Sequence, residues 1–189
     1  QILQQLKSQR IKAQELEEKI KKIIAEEIRK AKEAIKDKKY NDLNTESVVL
    51  SNKFADNKGK LPWPIDNGVV VGKYGKQKHE VFSSVETFNN GIDIATNKNT
   101  AVRSIFDGKI SRIFFIKGEG RAVLINHGSY FTVYSGLKEI TVQVNEKIMA
   151  NEKIGVVATQ EKEEKTELHF EIWNGYEKQD PTKWLIDAY

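Results

Sequence analysis

Three short segments hold most of the side chains able to do chemistry in this chain: Phe88-Asn89-Asn90-Gly91-Ile92-Asp93-Ile94-Ala95, then Asn126-His127-Gly128 running on to Tyr134-Ser135-Gly136-Leu137, then Glu167-Leu168-His169-Phe170-Glu171-Ile172. There is no Cys and there are three His. Thiolate metal sites and disulfides are therefore excluded, and only His, Asp and Glu can hold a metal. Glu167 and His169 stand two apart in a run that reads as a strand, so they share a face. With Asp93 they make either an improvised carboxylate–His–carboxylate metal site or, more simply, two carboxylates that hold His169 by hydrogen bonds and raise its pKa. Asp93 follows Gly91 at a strand start and reads by itself as a cap on local backbone N–H groups. His127, before Gly128, reads as a turn residue, and His79, in a Lys-rich loop, as solvated.

Positioning these groups falls to the elements around them. Beyond residue 60, short β-branched and aromatic runs alternate with Gly/Asn turns: Val69–Val71, Ala101–Phe106, Lys109–Ile116, Ala122–Ile125, Phe131–Tyr134, Ile140–Val144, Ile154–Ala158 and Leu168–Trp173. Their close spacing, with no helix-length gap between most of them, predicts an antiparallel β-sheet domain. Asn145-Glu146-Lys147-Ile148 recurs as Asn151-Glu152-Lys153-Ile154. Asn tolerates left-handed backbone well, so both copies read as tight turns.

The first 37 residues are different. They contain no Gly or Pro, and apolar residues recur at Leu6, Ala13, Leu16, Ile20 and Ile23, then at Ile24, Ile28, Ala31 and Ile35. This is one helical stripe whose phase shifts by a residue at Ile23/Ile24. So narrow a stripe needs a partner: upstream chain, another copy, or the following domain. The first, as the end of a coiled coil, is the expectation. Residues 38–60 read as a connector with one short amphipathic helix from Val48 to Phe54, which Asn44-Thr45-Glu46-Ser47 would cap. Leu61-Pro62-Trp63-Pro64 forces extended backbone and opens the β domain, 61–189.

The 189 residues carry 31 Lys+Arg against 27 Asp+Glu, a net charge of +4. That excess favours anionic surfaces only weakly, and no nucleic-acid reading motif accompanies it. No apolar run approaches the ~18 residues that span a bilayer. Because Gln1 is not an initiator Met, the expected start is internal to a longer, exported protein.

The order of the three segments, with Asp107-Gly108-Lys109-Ile110 between the first two and Asp180-Pro181-Thr182-Lys183-Trp184-Leu185 after the third, resembles the lysostaphin/LytM-type zinc metallopeptidases over about two thirds of the chain. In active members the segments read H-x-G-x-D, Y-x-H-L and H-x-H. Carried over, the zinc positions are Asn89, Asp93 and His169, and the catalytic positions are Gly136 and Glu167. Only Asp93 and His169 keep the family's residue type. An amide oxygen is a poor zinc ligand, and Gly136 can neither shuttle a proton nor stabilise an oxyanion. The resemblance thus implies a mainly β, LytM-type domain with a groove, no catalytic residues, no cofactor and no functional metal site.

A helix, a connector, the Leu-Pro-Trp-Pro stretch and a degenerate LytM domain together resemble the EnvC-type murein hydrolase activators of Gram-negative bacteria. That resemblance implies a periplasmic, non-catalytic activator of N-acetylmuramoyl-L-alanine amidases in daughter-cell separation, tied through its coiled coil to a membrane complex of the ABC-transporter type, with peptidoglycan as a further contact. The expected partner groove is lined by Asn89, Asn90, Asp93, Glu119, Tyr134, Gly136, Glu167, His169 and Trp173, although Tyr134 and Trp173 read equally well as strand packing. The connector helix, through Val48, Val49, Leu50 and Phe54, is the expected autoinhibitory element in that groove. The alternatives are a zinc endopeptidase using Asp93, Glu167 and His169, or a cell-wall tether that activates nothing.

Overall fold

The apolar stripe at the N terminus forms a single helix, α1, over Ile2–Lys36, about 52 Å long at 1.5 Å per residue. The structure, a computed structural model, describes residues 1–36, 40–78 and 86–187; His79 lies outside them. A second helix, α2, spans Tyr40–Asp56. It is longer than the predicted Val48–Phe54 turn, and residues 44–47 lie inside it rather than at its start. Thirteen strands follow: β1 (Gly68–Gly72), β2 (Gly75–Lys78), β3 (Glu86–Asn89), β4 (Ile92–Thr96), β5 (Ala101–Arg103), β6 (Gly108–Ile116), β7 (Gly120–Asn126), β8 (Tyr130–Ile140), β9 (Lys147–Ile148), β10 (Lys153–Val157), β11 (Thr159–Gln160), β12 (Lys165–Asn174) and β13 (Glu177–Gln179).

The main sheet is antiparallel and runs β1-β4-β12-β8-β7-β6-β9, with β10, β5, β11 and β13 attached at its sides, while β2 and β3 form a separate hairpin. The expected strand at Ile140–Val144 is not one: Ile140 ends β8, and Thr141–Gln143 leave the sheet. Both Asn-Glu-Lys-Ile copies are turns with left-handed Asn, at φ 71° for Asn145 and 68° for Asn151. In each, the Glu carboxylate accepts a backbone N–H three residues back, from Gln143 and Met149 respectively. The repeat is thus one turn device used twice.

Alternation along the strands gives the sheet two apolar faces. On one, Ile92, Ile94, Val123, Ile125, Tyr134, Leu168, Phe170 and Ile172 build the main core. Phe54 of α2 closes one end of that core, stacking on Tyr130 and packing against His127, Phe106 and Trp184. Leu61 bridges to Leu185, and Trp63 donates to the Ile186 carbonyl, so the Leu-Pro-Trp-Pro stretch clasps the C-terminal segment.

The other face is covered by α1. Leu16, Ile20, Ile23 and Ile24 are buried with Ile116, Ala122, Leu124, Phe131, Val133 and Trp173. Four buried Leu/Ile side chains contribute roughly 6–12 kcal/mol before the entropy of ordering the helix is set against it. The stripe's partner is therefore the following domain, not the expected upstream chain. The phase shift at Ile23/Ile24 widens the stripe from a narrow coiled-coil seam into a patch able to lie on a sheet. Towards the N terminus the helix leaves the sheet, and Ile2, Leu3 and Ile11 are exposed.

Candidate functional site

Strand β12 runs between β4 and β8, and its register sets the site. His169 lies opposite Asp93 on one side and Ser135 on the other. Glu167, His169, Glu171 and Trp173 point to one face by alternation, the face that α1 covers. His169 is held from both ends of its ring. Nδ1 donates to Asp93 Oδ1 at 2.6 Å, and Nε2 donates to Glu171 Oε1 at 2.8 Å. Burial opposes a charge on the imidazole, but the Asp93 and Glu171 carboxylates outweigh it and hold the pKa well above 6.5.

The network continues in both directions. Asn89 Nδ2 donates to Asp93 Oδ2 at 2.8 Å, while Asn89 Oδ1 accepts the Gly91 N–H. Trp173 Nε1 donates to Glu171 Oε2 at 2.7 Å. Asn89, Asp93, His169, Glu171 and Trp173 thus form one continuous chain of hydrogen bonds. These residues do not fit zinc. A catalytic zinc needs about three protein ligands; here the amide of Asn89, which donates to Asp93, stands in place of the family's first His and is a poor zinc ligand, so only Asp93 and His169 of the set remain. Among the described residues no group of three or more His, Asp and Glu is arranged to hold a metal.

Several sequence expectations need correction here. The carboxylate that clamps His169 together with Asp93 is Glu171, two residues after it, not Glu167, two residues before. Asp93 bonds side chains rather than capping the backbone. His127 is no mere turn residue. It is fully buried, with Nδ1 donating to the Asp107 carbonyl at 2.6 Å and Nε2 accepting from Thr132 Oγ1 at 2.8 Å, and burial lowers its pKa to about 4. Tyr134 and Trp173 line no groove; both are 0% exposed. Tyr134 lies on the opposite face, where its OH accepts the Ile105 N–H. Trp173 lies beneath α1.

The remaining candidates do sit near His169. Asn90, Gly136, Glu119 and Glu167 are at most partly exposed. Burial raises the pKa of Glu167 and Glu119, and Glu119 lies within electrostatic reach of His169 and Asp93 as well as of Lys12 and Glu15 on α1. Gly136 has φ +84°, and a Cβ built on it would stand 2.9 Å from the Glu167 carbonyl oxygen. The catalytic His position of the second segment has thus acquired a backbone that disfavours any side chain.

The helix that lies on the His169 face is α1, not the connector helix expected there. α2 has Val48 and Val49 exposed and Phe54 in the aromatic box, away from the His169 face. α1 lies on it, and a polar clasp fastens it there. Lys178 Nζ donates to Glu17 Oε1 at 2.8 Å and to Asn90 Oδ1 at 2.9 Å, and Asn90 Nδ2 donates to Glu17 Oε2 at 3.1 Å. Burial would raise the Glu17 pKa, but the bonds from Lys178, Lys21 and Asn90 bring it down to about 2. Farther along, Arg112 pairs with Glu26 at 2.6 Å.

The model of peptidase family M23 matches residues 87–181, and with the sheet and the three motif segments in register the chain belongs to that family. It is 30% identical over 143 residues to an uncharacterized metalloprotease of Buchnera aphidicola subsp. Baizongia pistaciae, covering 71% of this chain and 38% of that protein. It is 24% identical over 149 residues to the murein hydrolase activator EnvC of Escherichia coli K12, covering 77% of this chain and 34% of that one. Among solved structures, a zinc-containing peptidase from Vibrio cholerae superposes with a TM-score of 0.55 at 27% identity, over 65% of this chain and 39% of that one. The chain therefore spans little more than a third of the length of these relatives.

Proposed function

We propose that this chain is a non-catalytic activator of peptidoglycan amidases in the periplasm, with residues 61–189 as the partner-binding unit and α1 as a cover over its binding face. The observation that carries the reading is the double clamp on His169. With His169 engaged by Asp93 and Glu171, an amide at 89 and a glycine at 136, the site offers no third ligand for zinc and no side chain at 136 to act as a base. The similarity to EnvC supports the activating role.

In the resting state α1 lies across part of the His169 face, held by Leu16, Ile20, Ile23, Ile24 and the Glu17–Lys178–Asn90 clasp, and leaves His169 and Asp93 only partly exposed. An amidase element that binds this face must displace the helix, so its apparent affinity falls by the fraction of molecules that are open. Pulling on the N-terminal half of α1, where Ile2, Leu3 and Ile11 are exposed, would raise that fraction. An ABC-transporter-type membrane complex is the proposed source of the pull.

The test uses the full chain. Ile20→Glu places a charge under α1 and should increase activation of a zinc amidase on purified cell wall by tenfold or more, with no cleavage by the chain alone. Zinc-dependent cleavage of cross-links by the chain without amidase would establish a peptidase instead, and cell-wall pull-down without activation would establish a tether.

A further inference from the structure

Strand β6 pairs with β7 along its length, but on its other side only Gly108 and Lys109 have a β partner, in β9. Ile110 adds bonds to Glu146 and Asn145. From Ser111 to Ile116 that side has no strand neighbour among the described residues. The Ile116 carbonyl faces the hairpin turn, where it accepts the Glu119 N–H, so alternation turns the polar groups of Phe115 and Ile113 outward. The Phe115 carbonyl is indeed met from outside, by Lys19 Nζ of α1 at 3.1 Å.

A shallow cleft of about 440 Å³ adjoins this edge, lined by Ile113, Phe114, Phe115, Arg121, Ile140 and Val142. Phe115 is 61% exposed. The one acid of the hairpin turn, Glu119, lies towards His169 and Asp93, so the unpaired charge left along the edge is basic. Lys109, Lys117 and Arg121 make no ion pair among the described residues, whereas Arg112 is taken by Glu26. Two copies of this edge would set like charges against each other, which disfavours self-pairing and favours an occupant of opposite sign.

We propose that the outer edge of β6 is a docking site for an extended acidic segment of a partner protein, which adds as a strand at Ile113 and Phe115 and seats an apolar side chain in the cleft. Backbone pairing supplies affinity, and the cleft with Arg121 supplies selectivity. This surface is separate from the His169 face and stands whether or not the activator reading does.

The experiment is an amide NMR titration of the full chain with a capped seven-residue peptide alternating Val and Glu, beside its Val/Lys counterpart. The Glu peptide should shift Ile113–Lys117 and Arg121 and protect the Ile113 amide from exchange, with the Lys peptide at least tenfold weaker. Phe115→Pro removes an outward N–H and Arg121→Glu reverses the charge. Each should weaken binding tenfold while leaving the melting profile and the shifts around His169 in place. No shift at millimolar peptide, shifts confined to other surfaces, or equal binding of the Lys peptide would overturn the proposal.

Discussion

Glu171 Oε1 lies 2.8 Å from His169 Nε2, and the other oxygen of the same carboxylate takes the indole N–H of Trp173 at 2.7 Å. One buried acid thereby joins His169 to the apolar patch on which α1 rests. A charged acid so deeply buried persists only where its partners outweigh its desolvation.

Replacing Glu171 by Ala strands both His169 and the Trp173 indole, and should cost roughly 3 kcal/mol in denaturant unfolding. Glu171→Gln keeps the shape but removes one of the two charges that favour the imidazolium. The ring's pKa should fall, which a ring-nitrogen NMR titration reads directly. The sign for stability is fixed: this group's contribution is present below about 6.5 and is lost as pH rises through the higher folded pKa.

Acid acts through two other groups with the opposite sign. His127, folded at about 4 against 6.5 unfolded, contributes fully above 6.5, and its contribution is lost as pH falls towards 4, a loss of about 3 kcal/mol. His127→Gln should flatten that part of the stability–pH curve. Glu17, folded at about 2, contributes above 4.5 and loses its contribution as pH falls towards 2, so the clasp on α1 should weaken there. Hydrogen exchange in residues 12–28 should rise before that in β8.

Gly136→His restores a family side chain where the backbone is left-handed and the neighbouring carbonyl is 2.9 Å from the new Cβ. It should destabilise the fold by about 1–3 kcal/mol and confer no zinc binding. Calorimetric zinc titration checks the second half.

Much of this was legible in advance, and the failures have physical causes. Strand period and turn chemistry located the sheet, because alternation around Val123–Ile125 and Leu168–Trp173 is set by burial on two faces. The same alternation implied that Glu171 is as close to His169 as Glu167 is. Which neighbour turns inward depends on the β4 and β8 register, and that is a tertiary fact. Tyr134 and Trp173 were ambiguous because an aromatic on a strand is apolar towards a groove and a core alike. The partner of α1 is not legible in its stripe, because helical periodicity records a covered face without recording what covers it. Ile23/Ile24 was the available signal, a doubling that suits a sheet better than a coil.

The most direct measurement compares amidase activation on purified cell wall by the full chain and by its Ile20→Glu variant, with cleavage by each alone as control. The account predicts at least a tenfold gain for the variant and no cleavage by either protein without amidase, zinc added or not. Equal activation by the two, or zinc-dependent cleavage by the chain itself, would contradict it.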